Sequence, residues 1–294
     1  MDHQPDHPIV AMQDYIETHL HEPITLHQLA SVSGYSPYHA AHLFKQALGI
    51  SPLLYWRKCR LSAAAFKLRD AQDSILSVAL DYQFGSHEGF TRAFASQFGM
   101  SPSTYRKHCP PIPIFRPYRY GPLRPLGEPH MAQTTPIFIQ LIERPARACI
   151  VRRATAATDY FAYCEEVGCE VWGTLCSVKE ALGEPMGLWL PKSLRPQNTS
   201  EYVQGVEVPL DYAKPLPHGY ELMRLPAQTF MVFQGEPYDD EHYGDAITAL
   251  QNAIESYDPT IVGYRKDPNG PRYQLEPRGE RGYIEAIAVM KNEN

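Results

Sequence analysis

No stretch of this 294-residue chain approaches the ~20 consecutive apolar residues that a membrane span requires. The start, Met1 to His7, is polar and acidic where a secretory signal is basic and then apolar, so a cytoplasmic protein with no membrane partner is expected. Paired CxxC spacing is missing as well. The six cysteines, Cys59, Cys109, Cys149, Cys164, Cys169 and Cys176, are scattered, which argues against a zinc ribbon and a disulfide framework. On a helix Cys164 and Cys169 lie about 140° apart while Cys169 and Cys176 share a face, so three metal ligands do not converge; no metal or other cofactor is expected. An activated-nucleophile pattern is also missing, and nothing marks an enzyme. Finally, there is no excess of positive charge: the balance of −6, taken alone, argues against nucleic acid.

The distribution of charge reverses that last inference. All of the acidic excess lies after residue 110, and between Glu22 and Asp70 there is no acid at all. Lys45, Arg57, Lys58, Arg60, Lys67 and Arg69 fall in that gap, a plausible phosphate-facing surface. The chain is long enough for two domains with separate cores. Its first part repeats at an offset of 50: Leu26, Ser36, Phe44, Gly49, Ser51 and Pro52 return as Leu76, Ser86, Phe94, Gly99, Ser101 and Pro102. Each copy reads as helix, tight turn, helix. In the first, Thr25 and Gln28 form a capping box, Gly34 ends the helix, and Ser36 caps a second helix that opens with Pro37. In the second, Ile75, Val78 and Ala79 precede Gly85, and Ser86 caps a helix packed by Phe90, Phe94 and Phe98. These are helix-turn-helix units, whose second helices can enter the major groove. A helical rod from Ser51 to Leu68, roughly 25 Å long at the α-helical rise, joins them and could place the two helices in successive grooves about 34 Å apart.

The segments GYSPYHAAHLFKQALGISPLLYWRKCRLSAA and ALDYQFGSHEGFTRAFASQFGMSPSTYRK resemble the AraC/XylS family DNA-binding domain, over about residues 9–108. Its hallmark, a second helix-turn-helix ending in Phe, Gly, Ser, Pro and Tyr-Arg, is met by Phe98, Gly99, Ser101, Pro102, Tyr105 and Arg106. The resemblance implies an all-α DNA-binding domain over residues 1–110 and double-stranded DNA, as an asymmetric operator, for a partner; RNA polymerase is a further expected partner.

Residues 111–135, rich in proline, read as a linker. From 136 to 294 a second repeat appears at an offset of 81: Pro145, Ala146, Val151 and Tyr202 return as Pro226, Ala227, Val232 and Tyr283. Each half reads strand, helix, strand, strand, giving an α+β domain with a cleft between halves. The motifs GVEVP at 205–209 and GYIEAIAVM at 282–290 resemble the GyrI-like effector-binding domain. An AraC-type head with a GyrI-like tail is the arrangement of Rob-type regulators, and it implies a small-molecule effector, aromatic or amphipathic.

On the recognition helices Tyr38, Ala41, His42 and Lys45 point away from the core in the first unit, and His87, Glu88, Thr91 and Arg92 in the second. The family often carries longer polar side chains where Ala41 and His42 stand. Arg92 suits a bidentate pair with guanine, or alternatively an ion pair with Glu88 one turn earlier. Arg57, Arg60, Arg106 and Lys107 suit phosphate, or snorkelled surface charge. In the second domain Trp172, Trp189, Tyr202, Tyr238 and Tyr273 suit pocket walls or plain core. Cation-sensing members of the family place Glu after an aromatic in the penultimate strand, where this chain has Gln274, with Glu276 two residues on. Glu285, among apolar strand neighbours, needs either a cation or an arginine. A ligand held against Trp172 and Tyr273 and oriented by Glu285 is the expectation. The other readings are a GyrI-like hydrolase using Tyr202, Tyr283 and Glu285, or a DNA binder that needs no effector.

With about 5–8 phosphate contacts, the log–log slope of DNA affinity against salt is expected to be about −4 to −7. Titrations across a range of ionic strengths check this, and a flat response would remove the electrostatic argument.

Overall fold

The computed structural model describes residues 8–117, 136–239 and 242–292, and the chain divides into two compact units, Met1–Leu123 and Arg124–Asn294. In the first, α1 (Pro8–Thr18) leads into α2 (Leu26–Ser33), α3 (Pro37–Leu48), α4 (Pro52–Asp70), α5 (Ile75–Asp81), α6 (His87–Phe98) and α7 (Pro102–His108). The helix boundaries follow from local chemistry. Thr25 and Gln28 make the reciprocal capping box, while the hydroxyls of Ser36, Ser51, Ser74, Ser86 and Ser101 each accept a hydrogen bond from a backbone N–H of the first turn. Pro37, Pro52 and Pro102 stand at the starts of their helices, where no N–H is missed. Gly49 and Gly99 take φ 74° and 73°, so each recognition helix ends in the left-handed conformation glycine tolerates.

Two apolar clusters share one helix. Ile9, Met12, Ile16, Leu29 and Phe44 pack with Tyr55 and Cys59 from the first half of α4. Val78, Phe90, Phe94, Phe98 and Tyr105 pack with Leu61, Ala64, Ala65 and Leu68 from its second half. Arg60 sits where the clusters meet. It is only 6% exposed, donates from Nη1 to the carbonyls of Tyr82 and Gln83 at 2.9 Å each, and lies between the rings of Trp56 and Phe84, 3.5 and 4.7 Å from their centres. Those two carbonyls belong to the turn of the second helix-turn-helix, where Gln83 takes φ 60° without being glycine. The Gln83 side chain donates back to the His21 carbonyl at 2.7 Å. Part of the segment expected to be linker belongs to this domain too. Ile112 and Ile114 are buried in the second cluster, and Phe115 meets Tyr55 edge-on, because alternate apolar residues let an extended chain pack. The remainder of that segment, 118–135, lies outside the described residues.

The second unit is an antiparallel sheet with helices on one face. Its elements are β1 (Phe138–Arg144), β2 (Arg147–Arg153), α8 (Tyr160–Val167), α9 (Glu170–Cys176), β3 (Met186–Trp189), β4 (Tyr202–Val208), β5 (Glu221–Leu225), β6 (Gln228–Gln234), α10 (Tyr243–Ser256), β7 (Tyr264–Lys266), β8 (Arg272–Leu275) and β9 (Ile284–Lys291). The strand order is β1-β6-β9-β8-β3-β4-β2-β5, with β7 on β9. The reading of strand, helix, strand, strand omits β1, β5 and β7. It also takes as one helix what are two, since the chain breaks at Gly168, φ 107°. Only Pro145 and Ala146 separate β1 from β2, although five strands lie between them in the order, so the sheet is strongly curved. The same step recurs where Pro226 and Ala227 join β5 to β6. Arg147 donates from Nη1 to the carbonyls of both Pro145 and Pro226 at 3.2 Å, and buried Glu207 accepts from Arg144 and Arg147.

Replacing Arg60 by Ala leaves the Tyr82 and Gln83 carbonyls unpaired and is expected to cost about 2–4 kcal/mol in urea unfolding. A loss within about 0.5 kcal/mol, the ordinary surface range, would refute the clamp.

Candidate nucleic-acid interface and ligand face

Outward from the first helical core, α3 presents Tyr38, His42 and Lys45, all exposed; Tyr38 is 84% exposed and stacks its ring parallel to that of His42. Ala41 is half-buried between them. His39 and Gln46, which the sequence reading did not single out, are also exposed on this helix. On α6, His87, Glu88 and Arg92 are exposed, with Ser96 one turn beyond. Thr91 is half-buried and its hydroxyl has no hydrogen-bond partner. Among the described residues Arg92 forms no ion pair with Glu88, which leaves its guanidinium available.

The four cations assigned to phosphate separate into two groups. Arg57 and Lys107 are exposed. Arg60 is not a surface charge: burial, and then the neighbouring Arg57, push its guanidinium down to about 10, still protonated at neutral pH. Arg106 is half-buried and donates to the Asp73 carbonyl at 2.5 Å, bracing the loop before α5. Both corrections have one cause: a long cationic side chain finds backbone carbonyls that sequence spacing does not reveal. Arg57 and Arg60 also border an open surface cleft of about 370 Å³, lined by Phe84, Gly85, Ser86, Gly89 and Ala93 at the start of α6.

In the second unit the sheet register separates the expected ligand residues onto opposite faces. One cross-strand row runs Phe233, Glu285, Gln274, Gly187, Gln204, Arg152 on the helix-bearing face. Tyr202 lies on that face, buried among Tyr163, Val206 and α9. Tyr273 follows Arg272 and precedes Gln274, so it points to the other side, into the cluster of Leu188, Phe230 and Ala286. A single ligand therefore cannot lie against Tyr273 while touching Glu285. Glu285 has its arginine: fully buried, it pairs with Arg272, whose guanidinium lies 5.0 Å from the Trp189 ring centre. The Tyr283 hydroxyl donates to Gln274 at 2.8 Å, and Gln274 donates to the Tyr202 hydroxyl at 3.3 Å. Burial holds both tyrosine hydroxyls well above their ordinary range and lowers Arg272. Trp189 is half-buried and donates to the Thr158 carbonyl. Trp172 is buried with its indole N–H unpaired. Tyr238 is half-buried beside the α10 cluster, and Glu276 is bonded to Arg278. Sequence reasoning missed Gln204 and Arg272; the fixed offset of 81 that relates Gln204 to Glu285 was the available signal.

A family described as a helix-turn-helix domain matches residues 29–108. The Right origin-binding protein of Escherichia coli K12 and the transcriptional regulator Rob of Salmonella typhimurium are each 41% identical over 93 residues, 32% of this chain and 32% of theirs. The multiple antibiotic resistance protein MarA of Salmonella typhimurium is 35% identical over 98 residues, 33% of this chain and 77% of that protein. This chain belongs to the AraC/XylS family. The AraC-type DNA-binding domain supports transcription regulation and double-stranded DNA as a partner. The match to the first two relatives spans about a third of their length, while the β-rich second unit is consistent with a Rob-like arrangement. Among the described residues no helix is long and apolar enough to cross a membrane.

Replacing Arg272 by Met strands the Glu285 carboxylate in the interior and is expected to destabilise the protein by about 3–5 kcal/mol, whereas adding Glu285→Gln should restore most of it. Equal stability of the single and double variants in urea would mean that Arg272 is not the partner that matters.

Proposed function

We propose that this AraC/XylS-type regulator binds an asymmetric operator as a monomer, with α3 and α6 in successive major grooves, and that its second domain, built as a GyrI-like duplication, binds a small-molecule effector in the cytoplasm. The observation that carries the DNA reading is the pair of exposed, unlike helix faces flanking one rigid helix, α4. Unlike faces in one chain suit a non-palindromic site about two helical turns long. Arg92 is the base reader in this scheme, with Tyr38, His42, Lys45, His87, Glu88 and Thr91 as further contacts and Arg57 on phosphate. Arg60 acts indirectly, by holding the turn that leads into α6, and Arg106 by bracing the loop before α5.

The effector reading is supported by the recurrence of the same residues 81 apart and by the buried polar row crossing the sheet between α8–α9 and α10. Trp189, Tyr202, Gln274 and Glu285 belong to this face; Tyr273 does not. A ligand favouring one domain arrangement would alter DNA affinity or contact with RNA polymerase. The hydrolase reading gains nothing, since Tyr202, Tyr283 and Glu285 are engaged by Gln274 and Arg272.

Selection of bound duplexes from a random pool is expected to yield one asymmetric motif. On it, Arg92→Ala should cost about 1–3 kcal/mol and relax one base pair, while Arg57→Ala should weaken specific and random DNA alike. A palindromic motif bound only by dimers would overturn the monomer reading, and equal losses for both variants on both DNAs would remove Arg92 as a base reader. Melting-temperature shifts of the full chain across a small-molecule panel test the effector reading separately.

A further inference from the structure

Gln204 and Glu285 occupy corresponding places, and the chemistry that surrounds them differs. They stand 81 residues apart, the spacing at which Val151 and Tyr202 return as Val232 and Tyr283. In the cross-strand row they flank the adjacent pair of Gly187 and Gln274, one on each side. Both are buried, at 1% and 0% exposure. Glu285 is closed off: Arg272 neutralises it and lies over Trp189, so a carboxylate, an aromatic ring and a cation are already assembled there. Gln204 is unpaired, since neither its amide oxygen nor its amide nitrogen has a hydrogen-bond partner. Its neighbours along the strand, Tyr202 and Val206, place it on the face beneath α8 and α9. The indole N–H of Trp172, on the helix that packs against β4, is also buried and unpaired. Buried amides without partners are rare because their desolvation is not repaid.

We infer that the effector subsite on this face selects a neutral ligand bearing an amide-like group, which docks on Gln204, and that Arg272 excludes organic cations by holding the cation position itself. This rests on the effector reading above. A primary carboxamide offers Gln204 an N–H for its oxygen and a carbonyl for its nitrogen, so one planar group satisfies both atoms. An incoming cation meets Arg272 and finds no free carboxylate. An incoming anion would have to draw Arg272 from Glu285 and leave that carboxylate buried alone.

Benzamide, benzamidinium and benzoate share nearly one shape and differ in charge, so calorimetric titration of the full chain with each, to millimolar concentration, tests the inference. Benzamide is expected to bind at least tenfold more tightly than either ion. Gln204→Leu should lower benzamide affinity tenfold or more while raising the melting temperature, because an unpaired amide gives way to an apolar group of similar size. Gln204→Met supplies the same test should the leucine variant not fold. Tighter binding of either ion would overturn the inference, as would unchanged benzamide affinity in a folded variant. If none of the three binds, the inference fails also; the effector reading then survives only where the broader panel shifts the melting temperature, which separates the two failures.

Discussion

A single guanidinium joins the halves of the DNA-binding domain. Arg60 lies on α4 between residues that belong to different apolar clusters, and it reaches across to the backbone turn that orients α6. Its position is costly to fill, because a buried cation needs partners for its donors, and here they are main-chain carbonyls and two aromatic faces. The consequence is geometric. Gln83 can hold a left-handed turn without glycine only while its carbonyl and side chain are both tied down, and the angle of the recognition helix follows from that turn. The first helix-turn-helix has Gly34 at the corresponding bend and, among the described residues, no such clamp, so the two units achieve one shape by different means.

The second domain handles buried charge in the same way. Glu207 is enclosed by Arg144 and Arg147 at the point where the chain steps between sheet edges, and Glu285 by Arg272 near the centre. Such pairs contribute little net stability over apolar packing, but losing one partner is severe, so they fix which strands meet. Around them the helix-bearing face is polar along one row and apolar on either side. The opposite face sets its buried charge differently, with Arg144 and Arg147 over the rings of Tyr273 and Phe230 inside an otherwise apolar cluster.

Much of the head was legible because its signals are local. Capping residues, Pro at helix starts and Phe at helical spacing act within a few positions, and the 50-residue recurrence doubled each of them. What failed was anything decided across long separations. Arg60 and Arg106 looked like phosphate contacts from charge alone, and their true partners stand 22 to 33 residues away. In the tail, strand alternation was read correctly within β9, yet Tyr273 and Glu285 were grouped without comparing registers, although adjacent Tyr273 and Gln274 must face opposite ways. The strands β1 and β5 were missed because each pairs with the other half of the sheet and exposes much of its surface, which hides the usual pattern.

The two-residue step from β1 to β2 has a consequence for synthesis. Strand β1 emerges first, but its hydrogen-bonding partner is β6, with Phe138 opposite Gln234. At about 5–20 residues per second, the nascent strand waits roughly 5–20 s for that partner. Through that interval Phe138, Ile139 and Leu141 have no sheet to join, and β2 is left without β5 for almost as long. The domain therefore stands as a set of incomplete edges until its later strands, β5 to β9, have been made, which makes this β-rich domain, not the helical head, the part most dependent on chaperone shelter in the cell.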